Sequence, residues 1–297
     1  MLQVTVDSSK VPTELSQKTP GYWASVGKRF VRDKVAVAAA LVVLGLLMLA
    51  LIGQWLAPAD PYASSMLSRL KPLGTPGHPL GTDELGRDML SRLLTGARLS
   101  LFMGITPVLC AFAIGSALDI LAGYAGGKIN SVIMRTIDVF YAFPSVLLAI
   151  ALSGALGAGI FNALLSLTIV FIPPIARVAE SVTTQVRGRD FVEAARASGA
   201  GPFTIVRVHV LGNVLGPIFV YATSLIAVSM ILASGLSFLG LGVKPPEPEW
   251  GLMLNTLRTA IYTQPWIAAL PGVMIFVTSI SFNMLSDGLR SAMDVKQ

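Results

Sequence analysis

Six long apolar stretches limit the possible folds of this chain more than any other feature of its sequence. Each has the roughly 20 residues that an α-helix needs to cross the hydrocarbon core of a bilayer. Because backbone polar groups must be paired within the protein in lipid, we predict an all-α membrane protein, a polytopic bundle of about six transmembrane helices. The stretches cover residues 35–56, 99–121, 137–156, 161–179, 212–239 and 267–286, and the third and fourth are separated only around Gly154, Gly157 and Gly159.

The composition supports a membrane environment. Hydrophobic residues make up 54% of the 297 residues, and charged residues make up only 13%. Soluble domains are nearer 45–50% apolar and about 25% charged, so a soluble fold would expose the apolar excess to water. The first stretch is too long for the apolar core of a signal peptide, which spans roughly 7–15 residues. We therefore interpret residues 35–57 as a retained first transmembrane helix after an N-terminal segment of residues 1–34.

The distribution of basic residues predicts the orientation of the helices. If both termini are cytoplasmic, the inside segments contain 15 of the 22 lysine and arginine residues. The reversed topology would place this excess outside, against the positive-inside rule. The same loops account for the net charge of +6, so no nucleic-acid partner is needed to explain it. We predict that both termini, including the tail at residues 291–297, lie in the cytoplasm.

The loop at residues 58–98 is too polar to span a membrane and is predicted to be extracytoplasmic. Its second half predicts a helix that is N-capped by Thr82 or Asp83, with Arg92 and Arg98 near its C-terminal end. Two interpretations are open for this helix. It lies along the membrane surface, or it is an ordinary connector packed against the rest of the protein. Its apolar residues at helical spacing are Leu85, Met89, Leu90, Leu93 and Leu94.

The second polar loop, at about residues 180–210, predicts a short cytoplasmic helix. Asp190 is expected to N-cap this helix, and Glu193 stands three residues later, at the spacing of a capping box. Gly199 predicts the C-terminal stop, and Pro202 suits the first turn of the following helix. Since an isolated helix this short is marginal, it must dock either against its own bundle or against a partner protein.

This loop resembles the EAA loop of the permeases of ATP-binding-cassette (ABC) importers. The resemblance rests on Glu193-Ala194-Ala195 followed by Gly199, Ile205, His209 and Asn213. It extends from about residue 24 to residue 294, and its other motifs are similar to those of dipeptide, oligopeptide and nickel permeases. These motifs are LGTDELGRD at 80–88, AGY at 122–124, LSFLGLG at 236–242, WG at 250–251 and DGLR at 287–290.

The resemblance implies a type I ABC importer permease fold in the bacterial inner membrane, with a core at residues 99–290. It also implies that the cytoplasmic loop fits a cleft of a partner ATPase, where Ala194 and Ala195 allow close approach. Glu193 and Arg196 then pair with charges on the ATPase, or Glu193 only caps its own helix. The implied ATPase-coupling residues are Asp190, Phe191, Glu193, Ala194, Ala195, Arg196 and Gly199.

The same resemblance implies the partners and cofactors. They are a second homologous permease, giving a heterodimer, two cytoplasmic ATPases, and an extracytoplasmic substrate-binding protein. The chain itself has no P-loop, since Gly126-Gly127-Lys128 is followed by Ile129, so it needs no cofactor and the partner ATPases bind ATP and Mg. Dipeptides or oligopeptides are the expected substrates, with glutathione and nickel as alternatives. An ion-coupled secondary transporter is the competing class, and no catalytic constellation indicates an enzyme.

Three positions depart from the expected pattern or need an explanation. Gly212 replaces the proline that is usual in the family, which is expected to loosen the entry into the fifth span. Asp119 lies in the second span, and an ionisable group there is either functional or reaches water at the cytoplasmic end. Asp138 begins the third span one helical turn from Arg135, and a structural ion pair between them is the simpler expectation.

Overall fold

A computed structural model describes residues 22–293, apart from the side chains of Tyr22, Trp23 and Asp119. The predictions for residues 1–21, residues 294–297 and the Asp119 side chain lie outside this described part. The α-helices are α1 (Tyr22–Arg32), α2 (Lys34–Leu56), α3 (Met89–Ala125), α4 (Gly127–Tyr141), α5 (Ser145–Leu156), α6 (Ile160–Arg187), α7 (Asp190–Ala197), α8 (Pro202–Thr204), α9 (Leu211–Phe238), α10 (Trp250–Thr256) and α11 (Pro265–Met293). A π-helical turn, Ile205–Val210, connects α8 to α9.

The helices account for the predicted number of spans. Five segments of the described chain are long and apolar enough to cross a membrane: α2, α3, α6, α8 with α9, and α11. The pair α4 and α5 passes the same criteria together, with a bend of 87° between its two parts, and is the sixth candidate. The prediction of a polytopic bundle of about six transmembrane helices is therefore confirmed, and the third span is bent.

The bend in the third span has a chemical cause. Pro144 has no backbone N–H to continue a helix, and its ring disfavours helical geometry at the preceding residue. Helix α4 ends at Tyr141 and α5 begins at Ser145, directly after this proline. The expected break at the glycines is also present, since α5 ends at Leu156 and Gly157 has a φ of 88°.

The core lies where α3 packs along α6 and α9 and where α11 packs on α9. Large apolar side chains from three helices, including Met103, Leu167 and Met230, are fully buried there. Small residues let the backbones approach, as in other membrane bundles. A Cβ at Gly104, for example, would collide with the side chain of Met230. Helix α2 lies at the edge of this core, against α3 and α11, where it buries Val43 and Leu46 but exposes most of its apolar side chains.

The prediction of a separate helix in the first outer loop is wrong. Helix α3 begins at Met89, its N-cap is Asp88 rather than Thr82 or Asp83, and it continues without a break into the second span. Asp83 is buried in the preceding loop, where its carboxylate accepts hydrogen bonds from the Leu85 and Arg87 backbone N–H groups, both at 2.9 Å. These contacts form a turn, so Leu85 is not helical.

Candidate functional site

Helix α7 lies in the cytoplasmic loop predicted from the sequence, and six of its eight residues are exposed. It follows α6 after two residues and packs against the end of α6 and the π-helical turn. Val192 is its anchor, with a fully buried side chain. The rings of Phe191 and His209 lie beside it, with centroids 6.4 Å apart. One face of α7 is therefore docked against its own chain.

The opposite face of α7 is free within the described chain. Asp190, Ala194 and Ala197 project away from Val192 at helical spacing, and all three are exposed, as is Glu193. Ala195 is half-buried and faces the bundle. The outer surface of α7 therefore combines small side chains, which permit close approach of another protein, with charges at its borders.

The N-terminal end of α7 differs from the sequence prediction by one residue. Arg189 is the N-cap, and its carbonyl oxygen accepts hydrogen bonds from the N–H groups of Val192 at 2.9 Å and Glu193 at 3.2 Å. Asp190 is the first helical residue, where its negative charge still complements the helix dipole. The structure contains no hydrogen bond to the Glu193 side chain from any described residue, so the predicted capping box is wrong.

The C-terminal end of α7 agrees with the prediction. Gly199 has a φ of 83°, in the left-handed region that glycine adopts without strain. The Ala200 N–H donates to the Ala195 carbonyl and the Gly199 N–H to that of Arg196, both at 3.1 Å, which is a Schellman motif. Pro202 is the first residue of α8, as expected. These hydrogen bonds fix the direction in which the chain leaves the end of α7.

The structure brings all the predicted coupling residues together on α7 or immediately after it. The sequence analysis did not predict two contacts of α7. Val192 anchors the helix on the bundle, and His209 packs against Phe191. The sequence signal for an anchor was the pair of large apolar residues, Phe191 and Val192, in an otherwise small and polar helix. The π-helical turn that contains His209 is also hydrogen-bonded to α9, since the Asn213 side chain donates to the His209 carbonyl at 2.7 Å.

The partner predicted for Asp138 is wrong. Its carboxylate pairs with Arg177 of α6 rather than with Arg135 of its own helix. The Arg177 guanidinium also lies over the ring of Tyr141, 4.9 Å from the ring centroid. Because α4 packs against α6, the residue on the neighbouring helix is nearer than the residue one turn away. The pair therefore ties the bent third span to α6.

The opposite end of the bundle contains a second group of buried polar residues. Glu249 is fully buried, and its carboxylate N-caps α10 by accepting from the N–H groups of Gly251 and Leu252, both at 2.8 Å. Burial raises the pKa of Glu249 above its ordinary value, and these hydrogen bonds oppose the rise. His78 contacts Asp88 at 2.9 Å, beside the start of α3. The described residues contain no cluster of three or more potential metal ligands.

The comparison with known families identifies the chain. Residues 115–295, more than half of it, match the family described as binding-protein-dependent transport system inner membrane component. The chain belongs to this family of ABC importer permeases. Residues 21–72 of the permease also match the N-terminal TM domain of oligopeptide transport permease C. The protein is therefore a multi-pass inner-membrane component of a bacterial transport system of the peptide and nickel family.

Individual relatives support the same assignment. The permease is 43% identical over 281 residues to the glutathione transport system permease protein GsiD of Pectobacterium atrosepticum, covering 95% of this chain and 93% of that protein. It is 42% identical to GsiD of Escherichia coli, covering 94% of this chain and 91% of that protein.

A solved structure supports the fold independently of the close relatives. The MetNI methionine ABC transporter, solved in inward-facing conformations, matches with a TM-score of 0.57 at 20% identity. The match covers 69% of this chain and 97% of the solved chain. At that identity the likeness establishes the fold, which is that of an ABC importer permease.

Proposed function

We propose that this permease transports small peptides, including glutathione, which is itself a tripeptide. Two observations support a peptide substrate. The N-terminal region matches a domain of oligopeptide permeases, and the relatives that cover nearly the whole chain are named as glutathione permeases. Nickel is the alternative substrate within the same family.

The substrate proposal is tested by uptake in cells that express the complete transporter. Labelled glutathione should accumulate, and unlabelled dipeptides or oligopeptides should compete if the path accepts peptides in general. Accumulation of nickel, with no uptake of any of these peptides, would contradict the proposal.

The proposed assembly contains a second homologous permease, two cytoplasmic ATPases and an extracytoplasmic substrate-binding protein. The family supports the kinds of partner, because its members work with ATPases and binding proteins. The heterodimeric pairing and the two ATPase copies are part of the proposal. In this assembly the permease forms half of the translocation path, and the ATPases bind ATP and Mg.

The observation that supports a coupling role for α7 is that one of its faces is buried against the bundle and the other is exposed. Val192 holds one face on the bundle, so a force applied to α7 is transmitted to α6 and, through the π-helical turn, to α9. The other face presents Ala194 and Ala197, which would let an ATPase surface approach closely. Contacts made in only one state of the ATPases would then shift the permease between its two conformations.

The proposed roles of the individual residues follow from their positions. Asp190, Glu193 and Arg196 are exposed around the small residues and would pair with charges on the ATPase. Phe191 would hold the angle of α7 through its contact with His209. Ala195 is half-buried and would keep α7 close to its own bundle, while Gly199 would direct the chain away from the ATPase.

A substitution at Ala194 tests the coupling role. Ala194→Phe places a large ring on the exposed face, where it would prevent close approach without disturbing the buried Val192. We expect uptake to fall at least about tenfold while basal ATP hydrolysis by the assembled complex continues, since the loss is in transmission. Ala194→Ser, which stays small, is the matched control and should transport normally. Normal uptake by the phenylalanine variant would contradict the coupling role.

A further inference from the structure

A groove between α2 and α3 opens at the end of the bundle opposite α7. Its volume is about 850 Å³, within the range of small-molecule sites. Leu47 and Leu51 of α2 and Phe102 and Ile105 of α3 line its deeper part. Near this groove the two helices approach closely, where Gly53 meets the Leu94 backbone.

The deeper part of the groove lies at membrane depth. Ile105 is seven residues beyond Arg98 on α3, a distance of about 10 Å along a helix. This stretch belongs to the apolar part of the second span. A water-soluble substrate would have to lose its hydration to lie against such a surface, whereas a hydrocarbon chain would not. The lower groove therefore suits an acyl chain.

The mouth of the groove contains one cation and one carboxylate that are not paired with each other. Arg98 is exposed, and its guanidinium makes no hydrogen bond or ion pair with any described residue. One oxygen of Glu247, Oε2, accepts from the Tyr62 hydroxyl at 3.1 Å. Within the described chain no donor reaches the other oxygen, Oε1.

The Tyr62 hydroxyl at this mouth stays protonated and donates its hydrogen bond to Glu247. Burial and the neighbouring Glu247 carboxylate both raise the pKa of Tyr62 above its ordinary value. The phenol therefore keeps its proton at neutral pH and continues to donate to Glu247. This hydrogen bond helps to hold the Glu247 carboxylate among the residues that line the groove, which include Arg98.

We propose that this groove binds one molecule of phosphatidylethanolamine. Its phosphate matches the planar guanidinium of Arg98, and its primary ammonium matches the free oxygen of Glu247. Arg92 lies near Glu247 and interacts with its charge, but it donates no hydrogen bond to the carboxylate. Phosphatidylglycerol would satisfy Arg98 and offer no ammonium N–H to the free oxygen of Glu247. Phosphatidylcholine has no N–H with which to donate to the carboxylate. An acyl chain along Leu51 and Phe102 would join the peripheral α2 to the core.

Lipid titration of the assembled transporter tests this site. The complex is delipidated in mild detergent and titrated separately with phosphatidylethanolamine, phosphatidylglycerol and phosphatidylcholine, and bound lipid is counted by native mass spectrometry. One phosphatidylethanolamine per copy of this chain should bind more tightly than the other two lipids. Arg98→Gln should weaken its binding by about tenfold, because a charge-assisted hydrogen bond to phosphate is lost.

Three further variants separate the site from general lipid contact. Glu247→Gln should remove the preference for phosphatidylethanolamine over phosphatidylglycerol, and Ala50→Phe should block binding by filling the groove. Arg258→Gln removes an exposed arginine at the same end but outside the groove and should change nothing. Equal binding of the three lipids, or unchanged binding by Arg98→Gln, would overturn the proposal. So would cross-linking of Leu51→Cys to the second permease, since protein would then occupy the groove.

Discussion

At the scale of single residues, Gly199 is constrained by its backbone rather than by its surroundings. Its φ of 83° is costly for a residue with a Cβ, yet no atom lies within 4 Å of the place where a Cβ would stand. The penalty for a side chain is therefore conformational, about 1–2 kcal/mol for an ordinary residue. Asparagine tolerates this region better than alanine does, although its side chain is larger.

This reasoning makes a prediction that depends on conformation and not on size. Gly199→Ala should shift α7 and reduce uptake, whereas Gly199→Asn should retain more of it, because asparagine adopts left-handed geometry at lower cost. Uptake is normalised to the amount of permease in the membrane, which should be equal in the two variants. If the alanine variant transports as well as the parent protein, the direction of the chain at Gly199 does not matter for coupling.

Glu249 predicts a pH dependence of stability. Burial raises the pKa of this carboxyl, which lies outside the spanning helices, so the folded state favours its protonated form. Its contribution to stability is therefore complete below the ordinary glutamate pKa and is lost as the pH rises through the raised value. We expect the Tm of the purified permease to fall over this interval, and Glu249→Gln to reduce the fall.

Thermal unfolding followed by tryptophan fluorescence across the acidic to neutral range measures this difference. Glu193→Gln, at an exposed glutamate, is the control and should leave the pH dependence of the Tm unchanged. A Tm that falls equally in the parent protein and in Glu249→Gln would assign the pH dependence to other groups.

At the scale of helices, the contact between α2 and α3 depends on one of two glycines in α2. A Cβ at Gly53 would collide with the backbone carbonyl of Leu94, which cannot move aside, whereas a Cβ at Gly45 meets nothing within 4 Å. Gly53→Ala should therefore destabilise the permease by about 1–3 kcal/mol. Gly45→Ala should have no such cost, because alanine is the better helix former.

The two variants form a matched pair, because they make the same change in the same helix. The Tm of each is measured in detergent against the parent protein. A similar Tm for both would mean that α2 and α3 separate without loss, and that the small residue at position 53 is not required for packing.

Some helix boundaries are predictable from the residues next to them, and others are not. The end of α7 at Gly199 and the start of α8 at Pro202 were predictable, because each depends on the backbone preference of one residue. The start of α3 was not, since three acidic or hydroxyl side chains near residue 82 all suit an N-cap. Asp83 turned out to bind Arg87 in a buried turn, which leaves Asp88 as the cap.

At the scale of the whole molecule, the distribution of charge predicts the orientation in the membrane. The excess of lysine and arginine in the loop segments on one side indicates that this side, which contains α7, is cytoplasmic. A phosphatase reporter, active only outside the cytoplasm, should be inactive when fused after Gln297 and active when fused after Leu73 in the first outer loop. The reverse pattern would contradict the topology and the coupling role of α7 together.

The all-α membrane bundle was determined by the sequence alone. In lipid a backbone must satisfy its own hydrogen bonds, so length and hydropathy are enough to locate the spans. The EAA-like segment at Glu193 and the other motifs, taken together in their order along the chain, likewise indicated the family.

Only the tertiary structure decided which side chains meet across helices. It paired Asp138 with Arg177, turned Val192 inward and Ala194 outward, and placed Arg98 and Glu247 among the residues that line one open groove. These contacts join residues far apart in sequence, and their energies depend on how the helices pack. The six spans predicted at the outset remain, with the third bent next to Pro144, whose ring disfavours helical geometry at the preceding residue.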